Sequence, residues 1–112
     1  MVNSKAKGST GEREVAHILQ EYGYNGQRGQ QYCGLKGDAD VIGLPGVHLE
    51  VKRVECLRLH EAMRQSKRDA REGEIPMVVH RRNREEWLAI LPFKSFLEMY
   101  KAWEEKKNGR AD

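Results

Sequence analysis

The chain's 112 residues suffice for one domain built on a single core, and no apolar run approaches the ~20 residues of a membrane span. A formal net charge of +3 is too small to argue a nucleic-acid partner from the total, so the distribution of charge has to carry that question. Cys33 and Cys56 fit neither a CxxC redox pair nor a zinc set, and the N-terminus lacks a signal-peptide core. The expected setting is therefore a reducing cytoplasm.

No repeat or internal linker divides the sequence. The expectation is one domain over 1–112, with 1–7 and 108–112 loosely held. After a short basic lead, Gly8-Ser9-Thr10-Gly11 offers a helix cap, and Glu12 and Glu14 suit a first helical turn. Val15, Ile18, Leu19 and Tyr22 recur at i, i+3, i+4 and i+7, the stripe of an amphipathic helix packed on a sheet. Glu14 borders that stripe. It reads either as a first-turn charge or as a carboxylate reaching the edge of the core. His17 falls on the solvent side. Gly23 ends the helix, and the Gly- and Gln-rich segment from Tyr24 to Gly37 carries Arg28 and a strand near Gln27–Tyr32. Such a segment suits a ligand-facing loop or a plain surface connection.

From Gly37 to Arg53 two alternating segments flank Leu44-Pro45-Gly46, the pattern of strand, turn, strand. With that turn, Asp40 faces Glu50 and Asp38 faces Lys52. Alternation then puts Asp38, Asp40, Glu50 and Lys52 on one face and Ala39, Val41, Leu49 and Val51 on the other. Opposed side chains in an antiparallel pair lie roughly 4.5–5.5 Å apart at Cβ, where like charges destabilise. Asp40 against Glu50 is a conflict that a hard divalent cation removes. The competing reading is a solvated hairpin face with Lys52 paired to Asp38.

A second helix is expected from about Leu57 to Glu72, stopped by Gly73 and Pro76. Leu59, Ala62, Met63, Ser66 and Ala70 make its buried face, and His60, Arg64, Lys67, Arg68 and Arg71 crowd the opposite side. That stripe either tracks phosphates or is an ordinary solvated face. Met77–His80 and Trp87–Leu91 read as strands joined by the charged turn Arg81–Glu86. Pro92 opens a last helix, and Phe93, Phe96, Leu97, Tyr100 and Trp103 form its stripe. At helical spacing these aromatics are core or dimer surface rather than a base-stacking platform.

The pattern is thus α/β: a three-layer sandwich around a mixed sheet of about four or five strands flanked by helices. Asp40 followed by Glu50-Val51-Lys52 resembles the Asp…(Asp/Glu)-x-Lys signature of the PD-(D/E)XK nucleases, which implies a restriction-endonuclease-like fold. Lys7-Gly8-Ser9 through Glu12-Arg13-Glu14 resembles the opening helix of archaeal-type Holliday junction resolvases in that superfamily. The resemblance runs from about Lys5 to Leu91. Glu104-Glu105-Lys106 and Glu105-Lys106-Lys107 match the short motif too, but they sit on the last helix without a partner aspartate. One departure is Ala39, where the family has proline, and it leaves Asp38 as a rival to Asp40.

The resemblance implies that Asp40, Glu50 and the Val51 carbonyl hold Mg²⁺ or Mn²⁺, with Glu14 contacting the same ion directly or through water. Lys52 would orient the attacking water and stabilise charge on the phosphate, and Gln65 would support it. Arg28, Arg53, Arg64, Lys67 and Arg68 would hold DNA phosphates, giving structure-selective binding. It further implies a homodimer cutting branched DNA in two coordinated places, with the last helix and the Tyr24–Leu35 loop as dimer or junction surfaces. A freestanding domain of this size suits a phage recombination gene. Two alternatives stay open: a same-fold nuclease for flaps, single strands or duplex DNA, and a non-catalytic DNA-binding module.

Overall fold

The computed structural model describes residues 4–30 and 39–109. Asp38, residues 31–35 of the Tyr24–Leu35 loop and the outermost ends, all subjects of the expectations above, lie outside the described residues. In chain order the elements are α1 (Ser4–Glu21), β1 (Gln27–Arg28), β2 (Val41–Ile42), β3 (Val47–Arg53), α2 (Leu59–Asp69), β4 (Ile75–Arg81), β5 (Leu88–Ile90) and α3 (Phe93–Lys107). The strands form a single five-stranded sheet in the order β1-β2-β3-β4-β5. Among the described strands only β3 and β4 are parallel, because α2 carries the chain from the end of one strand back to the start of the next. Three helices around a five-stranded mixed sheet are the restriction-endonuclease-like architecture.

The β2–β3 hairpin has the expected register, with Val41 opposite Leu49. Its turn is closed by Val47 N–H donating to the Leu44 carbonyl at 3.3 Å. Pro45 and Gly46, the latter at φ 79°, fit the two central positions of a type II turn. Gly43, at φ 109°, is required as well, since a Cβ there would run into the Asn25 carbonyl.

Each face of β3 meets a different helix. Val41, Leu49 and Val51 pack with Val15 and Ala16 of α1, joined by Leu19, Met77, Val79 and Trp87. The helix starts earlier than expected, so Gly8–Gly11 is helical, and Gly11 serves close packing instead of capping. A Cβ on it would lie 2.8 Å from Arg53 Cβ. The buried stripe is accordingly rotated toward Gly11, Val15 and Ala16, leaving Tyr22 exposed. On the opposite face α2 buries Ala62 and Ser66 over His48, Glu50 and Val78. Ser66 Oγ donates to the His48 carbonyl at 3.3 Å. The hairpin's acidic face is therefore covered rather than solvated, and Glu50 is only 3% exposed. Leu59, expected in the buried face of α2, is exposed. No residue of α3 is buried.

Candidate active site

Asp40 lies just ahead of β2 and Glu50 at the middle of β3. The Asp40 N–H donates to the Leu49 carbonyl at 3.0 Å, and Asp40 Oδ2 accepts the Val51 N–H at 2.8 Å. These two bonds fix the aspartate against β3, and its side chain hydrogen-bonds to Glu50. On the other side of Glu50, His48 Nε2 lies 2.8 Å from Glu50 Oε1. Each carboxylate is thus oriented by a contact that uses a single oxygen. In a strand a residue's N–H and C=O leave from the same edge, so the Val51 carbonyl emerges on the edge that faces Asp40.

Burying two carboxylates side by side perturbs both. Desolvation, followed by the charge of Glu50, pushes the Asp40 carboxyl up to about 7. Burial also raises Glu50, whereas the hydrogen bond from Asp40 and the Lys52 ammonium pull it back, and Asp69 and Glu12 push it up. Without a cation, then, one proton is shared between the pair and rests mainly on Asp40. Lys52 completes this face, its Nζ donating to Gln65 Oε1 of α2 at 3.1 Å.

Asp40, Glu50, Val51, Lys52 and Gln65 are therefore neighbours, drawn from three segments. Glu14 is not among them. Its Oε1 accepts the Trp87 indole N–H at 3.1 Å and pairs with Arg81 at 3.3 Å, toward β4 and β5. Two helix residues apart is a rotation of about 200°, so Glu12 and Glu14 leave opposite flanks of α1. Glu12 is the one whose charge reaches Glu50, and it pairs with Arg28 at 2.9 Å. Helical spacing excludes both from facing the hairpin together, but which of the two faces it is set by how α1 packs on the sheet.

His48 was passed over in the sequence, although alternation along β3 places it on the face of Glu50. With Glu50 and Asp69 it offers ligand atoms all within 4.8 Å of one another, a second donor set that shares Glu50. Among the proposed phosphate contacts, Arg64, Lys67 and Arg68 are exposed on α2, and Arg28 is exposed beside Glu12. Arg53 is not available. It lies on the α1 face with its side chain 10% exposed, donating to Asn83 Oδ1 at 2.6 Å and paired with Glu55.

A protein-family comparison matches residues 3–111 to the family described as "Phage putative PDDEXK endonuclease". The chain belongs to this phage PDDEXK endonuclease family. Among solved structures it is similar to Hjc, a Holliday junction resolvase from the archaeal hyperthermophile Archaeoglobus fulgidus, at 19% identity and a TM-score of 0.52. That match covers 76% of this chain and 72% of the archaeal one, and it shows a common fold. No curated protein sequence matches the chain.

The donor set suits a hard divalent cation. Two carboxylates that cannot both ionise comfortably and a backbone carbonyl make an all-oxygen cradle whose shared proton a cation would displace, with the Lys52 amine next to it but outside the donor set.

Proposed function

We propose that the protein is a divalent-metal-dependent endodeoxyribonuclease that acts as a homodimer on branched DNA in the cytoplasm, in the manner of a Holliday junction resolvase. The observation that carries the reading is the abutting of Asp40, just ahead of β2, and Glu50, in β3, beside a Lys52 ammonium held by Gln65. In this reading Asp40, Glu50 and the Val51 carbonyl hold Mg²⁺ or Mn²⁺, and Glu12 replaces Glu14 as the helix-borne carboxylate. When bound, the cation supplies charge neutralisation for the phosphodiester and lowers the pKa of water at the site.

The chain's own residues do the rest. Lys52 places a fixed positive charge where negative charge develops on the scissile phosphate. Gln65 restricts the lysine's rotamers, so little reorganisation is left for the moment of reaction. The Val51 N–H holds Asp40 in its orientation, and His48 does the same for Glu50. Arg64, Lys67 and Arg68 run along the exposed side of α2, with Arg68 one turn from Gln65 and so beside the site. They grip phosphates without reading bases, which favours recognition by DNA shape.

The test is cleavage of a synthetic four-way junction, alongside flap, single-stranded and linear duplex substrates, with Mg²⁺ or Mn²⁺ and with EDTA. Wild type is expected to cut the junction in metal only, and Asp40→Asn, Glu50→Gln and Lys52→Ala to lose cleavage. Full activity in Glu50→Gln would end the assignment. Preferential cutting of flaps or linear duplex would keep the nuclease and replace its substrate.

A further inference from the structure

The last helix and a groove elsewhere on the same chain each lack what the other offers. Phe93, Phe96, Leu97, Met99, Tyr100 and Trp103 are all between 43% and 71% exposed. Four of them form a continuous ladder of ring contacts, with centroids 6.4, 5.9 and 5.3 Å apart. Leu91 and Pro92 are the whole connection from β5, and Pro92 is extended at φ −59°, ψ 137°. The helix thus runs on from the end of the strand instead of turning back over it. The radius of gyration, 15.1 Å, accordingly exceeds the ~13 Å of a compact chain of this length.

The groove lies on the α2 side of the sheet. There α2 covers β3 and β4, but the strip over β5 is bare. Leu88 and Ile90 point along this face with His80, and Leu57 and Leu59 wall it from the α2 side. Together with Cys56 they line a groove of about 640 Å³. Leu88 is 57% exposed. One helix laid beside α2 would complete the layer.

We propose that the occupant of this groove is α3 of a second copy of this chain, inserted reciprocally, so that each copy's last helix closes the other's sheet. This deepens the two-copy part of the proposed function and rests on it, although the apolar argument does not depend on cleavage.

The exposed area and the charge balance favour a second copy. Taking about 200 Å² for each of the six side chains, the exposed part of the stripe is roughly 600 Å². That reaches the upper end of what a monomer leaves bare and approaches the ~800 Å² per partner of a stable interface. Charge is mixed on both surfaces: Lys94 and Lys101 flank the stripe at helical spacing, and the groove carries Glu55, Glu85 and Glu86 together with Arg81 and Arg82, Glu85 being paired with Arg82 at 3.3 Å. Helix α3 as a whole carries four lysines against three glutamates, too even a balance for a phosphate backbone. Finally, a two-fold exchange buries both surfaces with no third component, the geometry of domain-swapped dimers.

The test reads assembly alone. Light scattering after size-exclusion chromatography, at tens of micromolar, should give twice the chain mass. Phe96→Glu with Trp103→Glu should halve that mass, as should Leu59→Glu with Leu88→Glu, with circular dichroism unchanged because all four side chains are exposed in the single chain. In a Cys33→Ser background, Phe96→Cys, Tyr100→Cys and Trp103→Cys are oxidised one at a time. At least one should give a covalent dimer that disappears when Cys56→Ser is added.

A wild-type monomer would overturn both the exchange and the two-copy reading. A dimer that survives the Leu59/Leu88 pair would overturn the exchange alone. So would cross-links that persist without Cys56, or no cross-link at any of the three positions, and in each case the dimer itself would be left standing.

Discussion

Asp40→Asn should make the metal-free protein more stable while abolishing cleavage. The Asp40 carboxyl titrates near 7 in the folded chain against an ordinary value of 3.8. A raised folded pKa means that the folded state holds the proton more tightly than the unfolded chain. Its contribution to stability is therefore fully present below the ordinary value and is lost as pH rises toward 7. At about 1.4 kcal/mol per unit the loss is at most ~4 kcal/mol, and about half that once partial solvent access is allowed for.

An asparagine stays neutral at every pH, can still accept the Val51 N–H, and can donate toward Glu50 as the protonated aspartate does. Urea denaturation in EDTA, followed by tryptophan fluorescence, should then show the variant ahead by about 2 kcal/mol at pH 8 and within about 1 kcal/mol of wild type at pH 4.5. Mn²⁺ should reverse the order at pH 8 by stabilising wild type alone. Equal stabilities at pH 8 in EDTA, or a wild type ahead there, would refute the idea that these two carboxylates are held in conflict.

Lys52→Ala should lower the cleavage rate by about 10²–10³ with DNA affinity little changed, and Gln65→Ala by about tenfold, both measured by single-turnover kinetics. Glu12→Gln should weaken Mn²⁺ binding in calorimetric titration. Glu14→Gln should leave that binding intact and cost about 1 kcal/mol of stability by loosening Arg81 and Trp87. Gly11→Ala places a methyl 2.8 Å from Arg53 Cβ. It should destabilise by about 1–3 kcal/mol in thermal melts, whereas Gly8→Ala, with nothing within 4 Å, should not.

The hairpin was legible because its determinants are local. A proline and a glycine set the turn, the turn sets the register, and alternation of two then assigns every side chain from Asp40 to Lys52 to a face. The order of elements and the mixed sheet follow from the same short-range periodicities, and so does the meeting of Asp40 with Glu50.

What the order of residues could not decide was rotation and depth. The stripe on α1 was read one notch off, because Gly11 lets the helix approach Arg53 closely and turns Glu12, rather than Glu14, toward the hairpin. Arg53 looks like a surface cation until Asn83 and Glu55, thirty and two residues away, are seen to enclose it. The aromatic stripe on α3 is as plain in the sequence as the one on α1. Only the folded chain shows that no described residue covers it, since whether an apolar face finds a partner depends on the direction in which the preceding strand ends.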